Sequence, residues 1–162
     1  MRELSLHILD VVENSLEAGA TQIDLRIEED FAADRLTIRV SDNGCGMSEE
    51  QLAQVSDAFF TTRSTRHVGL GIPLLQAAAQ RCNGYLSITS QVGQGTTLQA
   101  VFQHSHIDRA PLRDMAKTLM TLILSTNRGV RQCDIHYVHT ADGAAFEFDT
   151  REIGRASCRE RV

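Results

Sequence analysis

The sequence predicts an α+β fold, a two-layer sandwich with a mostly antiparallel sheet and its helices on one face. Three observations carry this. Strand-like stretches come in pairs, each joined by a short turn, as antiparallel hairpins require. Within each stretch apolar and polar residues alternate, so one sheet face is buried and the other wet. Segments with helical spacing separate the pairs, giving the order α-β-β-α-loop-α-β-β-α-β-β, not a one-for-one alternation with strands.

Leu4 to Ala18 places Ile8, Val11, Val12 and Leu16 at helical spacing, and Gly19 is suited to end that helix. TQIDLRIEE and DRLTIRVSD follow as strands, with Ile23, Leu25, Ile27 and Leu36, Ile38, Val40 inward and a tight link around Asp30 to Asp34. SDNGCGM breaks regular structure, and Ser48 followed by Glu49, Glu50 and Gln51 reads as the capped start of a short helix. Phe59 to Val68 is polar and reads as a loop. A helix from Gly69 to Cys82 tolerates Pro73 in its first turn and closes at Asn83-Gly84. YLSITSQ and TTLQAVFQ form the second hairpin across VGQG. The spacing then predicts a helix over Leu112 to Leu124, and a last hairpin, DIHYVH and AAFEFDT across TADG, with Ile135, Tyr137, Phe146 and Phe148 inward.

The chain has 162 residues and a net charge of −5, which suits a compact chain and disfavours nonspecific binding to nucleic acid or to anionic membranes. The densest apolar run, Leu119 to Leu124, is too short to cross a bilayer. Cys45, Cys82, Cys133 and Cys158 show no paired spacing, the pattern of a reduced, cytoplasmic protein. EIGRASCRERV, Glu152 to Val162, reads as a translated sequencing adapter and is set apart from the fold, with the natural chain expected to continue beyond Arg151.

Four segments carry chemistry. On the first helix Asp10 and Asn14, four residues apart, share a face, while Glu13 points away. An acid and an amide so placed can bind a divalent cation through oxygen and hold a water nearby. In SDNGCGM, Gly44 and Gly46 let the backbone turn tightly, and Asp42 at a strand end offers an acceptor to an amino group. TTRSTRHVGLGIPLL leads a loop bearing Thr61, Thr62 and Arg63 into a glycine turn that opens a helix, a phosphate-binding pattern. GQGTT places Thr96 just after a hairpin turn. His104, His106, His136 and His139 have no local carboxylate or cysteine partner and read as solvated or core residues.

In this order the four segments resemble the GHKL ATP-binding superfamily of type II topoisomerase ATPases, chaperone ATPases, sensor histidine kinases and mismatch-repair ATPases. The resemblance spans Leu4 to Phe102. ENSLEAGAT is close to the mismatch-repair N box, DNGCGM is the first glycine box, and FFTTR, GLGIPLL and GYLSITSQVGQGTTLQAVF look most like the histidine-kinase version. It implies a Bergerat-type ATP site. Asn14 binds the Mg²⁺ that bridges the phosphates, Asp42 accepts from the adenine amino group, and Thr96 helps through a water. Gly44 and Gly46 leave room for the base. Thr61 to Gly71 forms the lid, with Thr61, Thr62 and Arg63 at one end and Gly69, Leu70 and Gly71 at the other, facing the phosphates.

Two departures from the family pattern matter. His67 stands where the second glycine box usually begins with glycine, and Asp10 stands where hydrolysing members place the water-activating Glu. Asp is one methylene shorter, so good binding with slow hydrolysis is expected. An autophosphorylating sensor kinase is not the expectation, since few residues here precede Asn14 and His7 is a poor substitute for a phosphoacceptor. The only Lys, Lys117, follows the ATP segment, unlike the transducer lysine of the clamp ATPases. A regulatory protein kinase of the anti-sigma serine kinase kind, or one phosphorylating another partner, is the reading preferred. A conformational-switch ATPase and a non-catalytic nucleotide sensor are the alternatives. The division expected is an ATP-binding domain over 1–104 and a helix-plus-hairpin extension over 105–151. A regulatory protein partner is expected, and a homodimer is left open.

Overall fold

The computed structural model describes residues 3–56, 71–127 and 132–152. Its elements are α1 (Leu4–Glu17), β1 (Gln22–Asp30), β2 (Arg35–Asp42), α2 (Glu49–Ser56), α3 (Gly71–Arg81), β3 (Tyr85–Gln91), β4 (Gly95–Gln103), α4 (Met115–Asn127), β5 (Asp134–Ala141) and β6 (Ala144–Asp149). The strands form one six-stranded sheet in the order β3-β4-β2-β1-β5-β6. Four neighbouring pairs are antiparallel, and β1 and β5 run parallel.

The predicted α+β sandwich is therefore present. Ile23, Leu25 and Ile27 of β1, Leu36, Ile38 and Val40 of β2, and Leu98, Ala100 and Phe102 of β4 are buried on one face. Against them pack Leu4, Ile8, Val11, Val12 and Leu16 of α1, Ile72 and Leu75 of α3, and Leu122 of α4. The other face carries Asp24, Arg26 and His136, each on the opposite parity of its strand.

The ends of the elements have local causes. α1 closes in a Schellman motif: Gly19, with φ of 78°, lets the Ala20 N–H reach the Ser15 carbonyl (3.1 Å) while its own N–H reaches that of Leu16 (3.0 Å). α2 opens with a capping box. The Gln51 N–H donates to Ser48 Oγ (3.2 Å), and the Ser48 N–H donates to Gln51 Oε1 (3.0 Å).

α4 begins three residues later than the spacing suggests. Arg113 sits at φ 51°, outside the helical region, and Asp114 caps the helix instead, its carboxylate accepting from the Lys117 N–H at 2.9 Å. The last hairpin turns through Asp142 and Gly143, both at positive φ, as a two-residue turn of primed type requires. One inward expectation fails there. Ile135 and Tyr137 are buried and Phe148 packs against the core, but Phe146 is 58% exposed, because edge strand β6 outruns the helices that cover the sheet.

Candidate functional site

The C-terminal end of β2, the middle of α1 and the start of β4 meet around a cavity of about 340 Å³. Val11, Val40, Met47, Ile72 and Leu98 make its walls apolar; Asn14, Ser15, Asp42 and Thr96 supply the polar groups. Sequence separation hides this convergence, yet the register imposes it. Asp42 pairs with Ile23 on one side and Thr96 on the other, so the acid ends its strand directly beside the threonine.

Among the described residues, the donors that hold Asp42 are all neutral. Its Oδ1 accepts from the Gly44 N–H at 2.9 Å and the Thr96 N–H at 3.3 Å, and its Oδ2 accepts from Ser15 Oγ at 2.6 Å. A carboxylate has about four lone-pair sites, so acceptor capacity remains for a ligand. Ser15, 5% exposed, is a residue of the candidate site that sequence reasoning missed. Its neighbour Asn14 carries the only local signal, since the partner carboxylate lies 27 residues away.

The glycines are explained by close backbone approach. A Cβ on Gly46 would lie 2.0 Å from the Gln91 carbonyl oxygen, and one on Gly95 would lie 1.9 Å from that of Asp42. Both residues also have positive φ, 69° and 109°. The loop after β2 and the β3–β4 turn therefore touch, and the Gly93 N–H donates to the Cys45 carbonyl at 2.8 Å. Gly44 lies against Ala18, whose Cβ would be 2.9 Å from an added methyl.

Asn14 is half-buried on the cavity wall, and its Nδ2 is a buried donor with no hydrogen-bond partner. Such an orphan costs roughly 1–3 kcal/mol and points to an acceptor supplied by a ligand. Asp10 lies one helical turn away, outside the cavity lining, where its Cβ would sit 2.9 Å from a methyl on Gly71. The start of α3 is thus pressed against the acid. Hard oxygen donors on adjacent turns fit a magnesium ion completed by phosphate oxygens. Among the described residues no three His, Cys, Asp or Glu side chains could hold a metal by themselves. Glu13 is exposed, and burial, followed by the nearby Asp10 and Glu17 charges, raises its pKa. Thr61, Thr62, Arg63, His67, Gly69 and Leu70 lie outside the described residues.

The histidines find carboxylates that the local sequence does not show. On the open sheet face His136 Nδ1 is 2.7 Å from Asp24 and its Nε2 is 2.7 Å from Glu147. At the far end of the sheet Glu29 lies 3.5 Å from His104 and 3.3 Å from His139.

Residues 2–106 match the family model described as histidine kinase-, DNA gyrase B-, and HSP90-like ATPase. The chain belongs to that family. It is an ATP-binding domain of kinase-like type. Among curated relatives of this ATPase domain, it is 34% identical over 89 residues to Sensor protein DegM of Bacillus sp. (strain B21-2), covering 55% of this chain and 24% of that one. It is 38% identical over 89 residues to Sensor protein kinase FleS of Pseudomonas aeruginosa, covering 55% and 22%. Over a 47-residue stretch it is 55% identical to Mismatch repair endonuclease PMS2 of Homo sapiens, covering 29% and 5%. The chain thus spans less than a quarter of the length of each. No helix among the described residues is long and apolar enough to cross a membrane.

Proposed function

We propose that the cavity holds ATP with its base against Asp42 and its phosphates toward Asn14, and that the domain serves a kinase acting on a protein partner. The observation that carries the reading is the Asp42 carboxylate, fixed by three neutral donors in an apolar cavity with acceptor capacity to spare. Thr96 assists through a bridging water, and Gly44 and Gly46 shape the floor. Asn14 meets the phosphates and their Mg²⁺, which when bound neutralises phosphate charge. The phosphate end is completed, on the resemblance, by Thr61, Thr62, Arg63, Gly69, Leu70 and Gly71. Asp10 is the water-activating acid, and its short side chain keeps hydrolysis slow.

The kinase reading is supported by the names of the relatives, which include sensor kinases. The 47-residue likeness to a mismatch-repair protein favours a second reading, an ATP-driven switch. Titration of ATP, with and without Mg²⁺, tests the site. Asn14→Ala is expected to abolish the gain in affinity that Mg²⁺ brings, at a cost of about tenfold. Asp10→Glu is expected to raise phosphate release toward the ~10²-fold that a 1 Å correction can return. Unchanged binding in both Asn14→Ala and Asp42→Asn would sink the assignment. Transfer of labelled phosphate to a protein in extract, without a matching rise in free phosphate, separates kinase from switch.

A further inference from the structure

Resting on the nucleotide reading above, we infer that Ser90 is a specificity-determining positioning residue: it turns the Thr96 hydroxyl so that Thr96 and Asp42 together present only acceptors to the base, which selects a 6-amino over a 6-oxo purine.

The geometry around Ser90 leaves one arrangement. Its Oγ accepts from the Met47 N–H at 2.8 Å, lies 3.1 Å from the Gly95 carbonyl, and lies 2.8 Å from Thr96 Oγ1. A hydroxyl has one hydrogen and two lone pairs. The Gly95 carbonyl can only accept, so Ser90 gives its hydrogen there. Its two lone pairs then take the Met47 N–H and the Thr96 hydroxyl hydrogen. If Ser90 instead donated to Thr96, two oxygen lone pairs would face each other across the 3.1 Å to Gly95.

Thr96 lines the cavity, and with its hydrogen committed to Ser90 it shows only lone pairs there. Asp42 beside it is acceptor-only as well, its donors all coming from the protein. A purine edge that brings an exocyclic amine satisfies this wall. One that brings a 6-carbonyl meets acceptors at both Asp42 and Thr96, because the Thr96 hydrogen is committed to Ser90.

The fold places Ser90 for this task. It faces Thr96 directly across the β3–β4 ladder, on an edge strand whose other partner is the loop before α2. Gly46, with no side chain, lets that loop come close enough for the Met47 amide to reach the hydroxyl.

The test compares ATP with inosine triphosphate, which differs at the 6-position and N1, by titration calorimetry on the full chain. Wild type is expected to prefer ATP by at least about tenfold. Ser90→Ala is expected to shrink that preference severalfold, and Ser90→Thr, which keeps the hydroxyl, to restore it. A role confined to holding the Met47 loop would weaken both nucleotides alike and leave their ratio unchanged, and that result would overturn the inference. Thr96→Val removes the same hydroxyl from the other side. Should Ser90→Ala not fold, an unaltered ratio in Thr96→Val overturns it equally. Wild type that binds neither nucleotide, or an Asp42→Asn variant that binds ATP normally, refutes the underlying nucleotide reading. Asp42-dependent ATP binding with a ratio indifferent to Ser90 and Thr96 refutes only the specificity role.

Discussion

Asp42 and Asp24 sit on opposite faces of the same sheet, near the same end, and are treated in opposite ways. Asp42 is ringed by two amides and a hydroxyl and keeps acceptor capacity for a visitor. Asp24 is instead paired with cationic groups: Arg26 Nε lies 2.8 Å from one oxygen and His136 Nδ1 2.7 Å from the other. Burial pushes the Asp24 pKa up, but hydrogen bonds from Arg26 and His136 outweigh it and leave it below the usual value. Glu147 holds the second nitrogen of the imidazole, and Asp149, lowered to about 2 by hydrogen bonding to Arg151, lies beyond. Both ring nitrogens therefore face carboxylates, which favours the protonated ring, and His136 ties β1, β5 and β6 together. The lesson is that a carboxylate fixed by neutral groups is available for binding, whereas one fixed by cations is spent on the fold.

The largest blow to the cavity end should come from Gly95→Ala. Its methyl would overlap the Asp42 carbonyl from a positive-φ position, costing about 3 kcal/mol or more of unfolding free energy and displacing the acid from the cavity. Chemical denaturation and ATP titration would both register it; a variant as stable as wild type would contradict the close approach.

Matched amide substitutions come next and probe the contrast directly. Asp42→Asn should lose ATP affinity by about 10²-fold, since a hydrogen bond to a charged acceptor is at stake, with little change in stability. Asp24→Asn should do the reverse, leaving affinity alone and costing about 1 kcal/mol of stability near neutrality. If the two variants behaved alike, the distinction between the faces would fail.

The smallest effect is a pH dependence. His136 has its pKa raised above 6.5, first by the hydrogen bond to Asp24 and then by that to Glu147. Its contribution is thus complete below the unfolded value and is lost as pH rises through the folded one. Asp24 is lowered below 3.8, so its contribution is present above that value and is lost as pH falls through the folded one. The clamp is strongest between these limits, and thermal unfolding midpoints should decline on the alkaline side. His136→Gln should flatten that decline. A wild-type profile unchanged by the substitution would show that the imidazolium does not hold the hairpin.

Periodicity and turn chemistry made the strands, the hairpins and the Gly19 and Asn83-Gly84 helix ends legible in the sequence, because these depend on residues within one turn or one pleat of each other. Asn14, Asp42 and Thr96 were legible as candidates because each sits in a short segment with its own pattern, and the structure brings the three to one cavity. Asp10 was placed beside Asn14 by helical spacing alone, but its contact with Gly71 depends on how α3 packs on α1.

The sequence by itself determined the α+β class, the hairpin pairings and Asn14, Asp42 and Thr96 as candidate residues. Tertiary structure decided the rest. It set β5 parallel to β1, so the C-terminal hairpin extends the sheet. It gave His136 its two acids and Glu29 its two histidines, and it joined Ser15 to Asp42 and Ser90 to Thr96. The physical reason is range. Backbone conformation and amphipathic spacing are written in neighbouring residues, while a hydrogen bond between side chains dozens of positions apart exists only after strand register and helix packing have set the distance.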